Sequence, residues 1–139
     1  YDANGKPHLQ NGKNISISHS HQFSAIAIST DPVGIDIELI KEKTLKIAPR
    51  FLDVSHLNNL SVQDQTIKAT VIWGIKEAIF KIKNQPGISF PNHIFETDFN
   101  VSDQKTSAQL RFNNNTENFS ILFDIIENYA FVCALPILS

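Results

Sequence analysis

Two carboxylates stand one residue apart in the apolar segment VGIDIE, residues 33–38. In a β-strand, side chains two residues apart point to the same face, so Asp36 and Glu38 project together while Ile35 and Ile37 point the other way, into the core. Two carboxylates on one face repel each other, and a cation between them offsets that repulsion. Oxygen ligands of this kind suit a hard cation, Mg²⁺ before Zn²⁺. A strand face exposed to water is the alternative that the pair alone leaves open.

A second group of polar residues lies in WGIKEAIFK, residues 73–81. On a helix, Trp73, Glu77 and Lys81 fall on one stripe at successive four-residue steps, with Lys76 beside them. An exposed ion pair between Glu77 and Lys81 would account for the charges. It would not account for Trp73, whose place in line with them predicts that the stripe lies partly in a cleft. We therefore interpret Glu77 as a third candidate metal ligand and Lys81 as a candidate phosphate-binding cation.

A third group lies near the start of the chain, where Lys6, Ser18 and His19 bring together ammonium, hydroxyl and imidazole groups. These are the groups that bind phosphate. For His19, a histidine that only makes hydrogen bonds at a strand end is an equal alternative. A Ser-His-Asp hydrolase is a poor interpretation, because nothing in the chain resembles a nucleophile elbow.

The patterns around these groups predict one α+β domain, with an antiparallel or mixed sheet packed against one long and one shorter helix. Ser61 is a suitable N-cap for the long helix, and Pro86 and Gly87 suit its end. The predicted helices are residues 41–52, which include Pro49, and residues 62–83. The predicted strands are residues 14–20, 23–29, 33–38, 93–101, 107–112, 119–126 and 129–138.

Composition narrows the class of protein. Apolar residues make up 42% and charged residues 19% of the 139 residues, which excludes wholesale disorder. A net charge of −2 gives no argument for nucleic acid, and no apolar stretch is long enough for a membrane span. The single cysteine, Cys133, favours a reducing compartment, so we expect a cytoplasmic protein with a buried thiol. Because the chain lacks methionine and begins at Tyr1, we expect it to be part of a longer protein.

In this order, the three groups resemble the 4′-phosphopantetheinyl transferase superfamily. VGIDIE is similar to the family's G-I/V-D-x-E strand, and WGIKEAIFK is similar to its W/F-x-x-K-E-x-x-x-K helix. GKP (residues 5–7), ISHS (residues 17–20) and Arg50-Phe51 further resemble the larger, pseudodimeric subclass. The resemblance covers residues 5–81. It implies that residues 1–30 are the tail of an N-terminal half and that residues 31–139 form the C-terminal unit.

The resemblance also implies an activity. Enzymes of this family move 4′-phosphopantetheine from coenzyme A to a serine of an acyl or peptidyl carrier protein, with Mg²⁺ (Mn²⁺ is possible) and release of 3′,5′-ADP. The implied metal ligands are Asp36, Glu38 and Glu77. The implied catalytic residues are Glu77 and Lys81, and the implied contacts to coenzyme A are Lys6, Ser18, His19, Lys76 and Lys81.

The carrier protein is the remaining partner. Lys43, Lys46 and Arg50 share one face after the candidate metal strand, and carriers of this type are acidic around their serine, so this face is a candidate docking surface. A solvated helix face is the alternative. A non-catalytic module that binds a carrier or a nucleotide is the competing function. A different Mg²⁺-dependent phosphoryl enzyme is less favoured, because neither a P-loop nor a dinucleotide glycine pattern is present.

Overall fold

The computed structural model describes residues 12–138, and these residues confirm the predicted α+β class. They form two antiparallel sheets. Strands β1 and β2 make a hairpin, and the other five strands form a sheet in the order β3-β7-β6-β5-β4. The strands are β1 (Asn14–Ser20), β2 (Phe23–Ser29), β3 (Gly34–Leu39), β4 (Ile94–Glu96), β5 (Lys105–Phe112), β6 (Asn115–Ile126) and β7 (Tyr129–Pro136). The helices are α1 (Glu42–Ile47), α2 (Val62–Lys83) and α3 (Phe90–His93).

Helix α2 has the predicted boundaries. It begins where the Ser61 hydroxyl accepts a hydrogen bond from the Asp64 amide at 3.1 Å, and it ends at Asn84, whose φ of 48° is left-handed. Its isoleucines 72, 75 and 79 are fully buried against the five-stranded sheet. In residues 12–138, no helix has both the length and the apolar character that a membrane crossing requires.

Two glycines allow α2 to approach the sheet closely. A methyl group on Gly34 of β3 would overlap the carbonyl oxygen of Ala78 in α2. A methyl group on Gly74 of α2 would lie 2.7 Å from Cγ2 of Val132 in β7. Both separations are too short for real side-chain atoms, so the absence of side chains at these two positions sets the distance between helix and strand.

The hairpin holds the second edge of β3. β7 pairs with one edge through a regular antiparallel ladder. Along the other edge, the Ser16 hydroxyl accepts a hydrogen bond from the Ile35 amide at 3.0 Å, and the Ser18 hydroxyl accepts one from the Ile37 amide at 2.9 Å. The backbone on either side of Asp36 is therefore fixed by two buried hydroxyl groups.

Three sequence predictions need correction. The short helix stops at Ile47 and continues only as a 3₁₀ turn, Ala48–Arg50, because Pro49 lacks the amide hydrogen that a longer helix uses. The strand predicted over residues 93–101 is limited to Ile94–Glu96. Ile35 and Ile37 are buried as expected, but outside the main core, because they line a groove shared with Ala25 and Ala27 of the hairpin.

Candidate active site

Asp36 lies on the face of β3 that meets α2. Its Oδ1 is 3.2 Å from Nζ of Lys81, which also donates a hydrogen bond to the Ile35 carbonyl at 2.9 Å. Its Oδ2 is buried and accepts no hydrogen bond from the part of the chain that the structure describes. A buried carboxylate oxygen without a donor is costly, and such an atom calls for a missing partner.

The charge state of Asp36 reflects this environment. Burial is the main cause that raises its pKa to about 9, and hydrogen bonding and repulsion from Glu38 add to the effect. Lys81 opposes the rise through its charge and its hydrogen bond. Among residues 12–138, the positive charge of Lys81 therefore does not offset the burial of this carboxyl.

Glu77 of α2 belongs to the same environment. Its side chain is half-buried, and burial followed by repulsion from Glu38 raises its pKa, while Lys81 lowers it. Glu38 thus raises the pKa of two neighbouring acids, Asp36 on its own strand and Glu77 on the helix. The structure brings these four residues, which we call the β3 cluster, to one side of α2: Asp36, Glu38, Glu77 and Lys81.

The β3 cluster fits a hard divalent cation by its chemistry. Its ligand atoms are carboxylate oxygens of three residues, one of which has an oxygen without a hydrogen-bond donor among residues 12–138, and a cation would relieve the mutual repulsion of the carboxylates. In the present positions of residues 12–138, no three His, Cys, Asp or Glu side chains are arranged to hold a metal ion. A metal site here would therefore require the three carboxylates to take other positions than these.

The other predicted coenzyme A contacts that lie within the described residues are Lys76, Ser18 and His19. Lys76 is 2% exposed and donates hydrogen bonds to the carbonyls of Phe90 and Ile94, away from β3. Ser18 is buried against the Ile37 amide, whereas His19, next along β1, exposes its side chain. Lys6 lies outside the described residues. The position of Lys76 favours a structural role, and its contact with coenzyme A stays a prediction.

Trp73 packs against aromatic side chains, and the cleft predicted along its stripe stays a prediction. Its ring is half-buried and meets Phe51 and Phe90 edge to face, with ring centroids 5.0 and 5.1 Å apart. The candidate docking residues Lys43, Lys46 and Arg50 are all exposed on α1 and the turn that follows it.

Comparison with known proteins decides the family. A family model described as the 4′-phosphopantetheinyl transferase superfamily matches residues 32–134. The chain belongs to this superfamily. The matched region contains β3 and α2 in full, and therefore every residue of the β3 cluster.

Curated relatives carry the superfamily's name. The chain is 32% identical to 4′-phosphopantetheinyl transferase gsp of Aneurinibacillus migulanus, over 93% of this chain and 54% of that protein. It is 31% identical to 4′-phosphopantetheinyl transferase Sfp of Bacillus subtilis (strain 168), over 72% of this chain and 46% of that protein. It is 29% identical to 4′-phosphopantetheinyl transferase ffp of Bacillus subtilis, over 94% of this chain and 59% of that protein. The chain thus spans about half the length of these relatives.

The superfamily strand and helix also depend on residues that the sequence analysis did not single out. Gly74 carried a usable signal, because a glycine inside a helix indicates close packing. Ser16 carried none beyond strand alternation. Glu96, the charged partner of Lys76 at 3.4 Å, lies in a predicted strand whose pattern did not indicate a buried charge.

Proposed function

We propose that the protein transfers 4′-phosphopantetheine from coenzyme A to a serine of a carrier protein. The serine oxygen forms a bond to the pantetheine-side phosphorus of the diphosphate, the bond from that phosphorus to the bridging oxygen breaks, and 3′,5′-ADP leaves. The observation that supports this proposal is the convergence of the β3-strand acids, Glu77 and Lys81 around a buried oxygen without a donor. Phosphoryl transfer needs charge neutralisation and alignment more than covalent chemistry.

Each residue of the β3 cluster has a part in the proposal. Asp36, Glu38 and Glu77 would hold Mg²⁺, and the bound ion would supply the neutralisation of charge on the diphosphate. Lys81, already 3.2 Å from Asp36, places its ammonium group beside the same phosphates. Glu77, half-buried between Glu38 and Lys81, accepts the proton of the carrier serine, directly or through a water molecule.

The proposed nucleotide contacts include residues at the end of β1. His19 exposes its imidazole next to the buried Ser18, and we propose that His19 and Lys6 contact phosphates of coenzyme A. Ser18 contributes through the strand that it holds in place. The exposed Lys43, Lys46 and Arg50 form the proposed docking face for an acidic carrier.

The division of the chain is also part of the proposal. We propose that residues 1–30 belong to the end of an N-terminal half and that residues 31–139 form the C-terminal unit. Two observations support this division: the family model begins to match at residue 32, and β1 and β2 form a sheet of their own.

The decisive experiment is mass spectrometry of an apo carrier protein incubated with coenzyme A, Mg²⁺ and the full-length protein. We expect the carrier to gain the mass of one phosphopantetheine, and we expect chelation of the divalent ion to abolish the gain. No gain with fatty acid, polyketide and peptide carriers would refute the proposal. Calorimetry that shows coenzyme A binding without any effect of Mg²⁺ would instead favour a non-catalytic binding module.

A further inference from the structure

On the side of α2 opposite to the β3 cluster lies a second charged group, which we call the β4 cluster: Lys76, Glu96 and His56. Glu96 of β4 has one carboxylate oxygen 3.4 Å from Nζ of Lys76 and the other 2.8 Å from Nδ1 of His56. The side chains of Lys76 and Glu96 are each only 2% exposed. These charges are therefore shielded from water and from any ligand in the cleft.

The ammonium group of Lys76 is fully engaged. Besides Glu96, it donates hydrogen bonds to the carbonyls of Phe90 at 3.0 Å and Ile94 at 2.8 Å. An ammonium group has three hydrogens, and here three acceptors surround it. Contact with a phosphate would require Lys76 to abandon all three and to leave Glu96 buried without a counter-charge, which is costly.

The fixed ammonium constrains the helix that carries it. Consecutive residues of a helix project about 100° apart, so Lys76 can point to β4 while Glu77 points to the β3 cluster. Because Phe90, Ile94 and Glu96 belong to α3 and β4, they fix Lys76 from outside α2. Rotation of α2 about its axis would break these contacts and turn Glu77 away from Glu38.

We propose that Lys76 is a positioning residue: anchored by Glu96 and the two carbonyls, it fixes the rotation of α2 and thereby the direction of Glu77. This inference rests on the proposed function for its catalytic consequence. It assigns adjacent residues of one helix separate tasks, with Lys76 holding the helix and Glu77 facing the substrate.

The test compares the full-length wild type with Lys76→Met, with Lys76→Met/Glu96→Leu and with Lys83→Met. The double variant replaces the buried pair by apolar groups, a change that is often neutral for stability. Lys83→Met is the matched control, because it removes the same charge from the same helix at a more exposed ion pair, 2.9 Å from Glu117. Trp73, the one tryptophan of this sequence, contacts Phe90 and reports on the anchored turn.

Positioning predicts a loss of turnover without a loss of coenzyme A binding. We expect kcat to fall about tenfold or more in both Lys76 variants, with the Kd for coenzyme A within about twofold of wild type. Trp73 emission should shift in both, and Lys83→Met should match the wild type in every measurement. If Lys76→Met does not fold, the double variant carries the test.

Two results would overturn the inference. Coenzyme A binding about tenfold weaker in the double variant would make Lys76 a direct contact. Turnover that returns to the wild-type value in the double variant would reduce Lys76 to a contribution to stability. A wild type without transfer activity would refute the proposed function instead. In that case, unchanged Trp73 emission in the double variant would show that Lys76 does not anchor α2.

Discussion

The two sides of helix α2 carry charged clusters of similar composition and opposite character. Each cluster pairs a lysine of the helix with a carboxylate of a strand, Lys81 with Asp36 and Lys76 with Glu96. The β3 cluster has three carboxylates for one lysine, and a buried oxygen of Asp36 finds no donor among the described residues. In the β4 cluster, Lys76, Glu96 and His56 are joined in one network.

This difference in hydrogen bonding distinguishes buried charges that suit a binding site from buried charges that stabilise the fold. Buried polar groups in proteins are nearly always hydrogen-bonded, so a network with every partner in place needs nothing further. An excess of like charge around a buried oxygen without a donor is relieved either by protonation of a carboxylate or by a bound cation. The two clusters differ less in residue type than in whether their buried polar atoms have hydrogen-bond partners among the described residues.

The largest expected effect is on activity and comes from the β3 cluster. We expect Asp36→Asn and Glu77→Gln each to reduce carrier modification about 100-fold or more, because each removes a proposed Mg²⁺ ligand and Glu77→Gln also removes the proposed proton acceptor. Both variants should keep the thermal midpoint of the wild type, since they relieve repulsion among acids. Mass spectrometry of the carrier and thermal unfolding measure the two quantities. A variant that loses activity only in proportion to its stability would contradict the assignment of a site.

The next effect is on stability and comes from the β4 cluster. Glu96→Gln leaves Lys76 buried without its counter-charge, and we expect a loss of about 3 kcal/mol in the free energy of unfolding. Glu117→Gln is the control, because the pair of Glu117 with Lys83 is partly exposed and should contribute less than about 1 kcal/mol. Urea denaturation measures both. Equal losses in the two variants would show that the buried cluster is no more structural than a surface pair.

A somewhat smaller effect tests how α2 meets the β3 cluster. Gly34→Ala introduces a methyl group that overlaps the Ala78 carbonyl, and we expect a loss of about 2 kcal/mol because backbone must move. Gly74→Ala meets the side chain of Val132 at 2.7 Å, and because a side chain adjusts more easily, we expect about 1 kcal/mol. Urea denaturation measures the free energy of unfolding of both variants. A larger loss in Gly74→Ala than in Gly34→Ala would show that the glycine of the helix, not that of the strand, sets the spacing.

Sequence patterns predicted the local features that these tests use. The alternation of VGIDIE put Asp36 and Glu38 on one face, and Ser61 and the Asn84–Gly87 segment set the ends of α2, which the structure confirms. These signals act over a few residues, so no knowledge of the tertiary structure is needed. The α+β class followed from the same local patterns.

The sequence was less informative about which neighbours a side chain contacts across the core. α2 is buried on most of its circumference, so its pattern does not tell which neighbour Lys76 faces. The strand pattern around Glu96 does not indicate that this residue pairs with Lys76. The sequence predicts Ser18 as a phosphate contact and gives no sign that its hydroxyl accepts a hydrogen bond from the Ile37 amide. The contact of Ser18 with coenzyme A stays a prediction.

The smallest expected effect concerns a surface that lies outside both clusters. Lys46 and Arg50 are exposed, and we expect Lys46→Glu/Arg50→Glu to raise the KM for an acidic carrier about threefold to tenfold while the KM for coenzyme A stays unchanged. The effect should shrink as salt rises from about 0.1 M to about 1 M, because exposed charges are screened. Lys105→Glu/Arg111→Glu, two exposed positions on β5, is the matched control for net charge. If the control raises the KM for the carrier by as much, the effect comes from overall charge and the docking face is refuted. If only Lys46→Glu/Arg50→Glu raises it, the attraction to the carrier is local to this face.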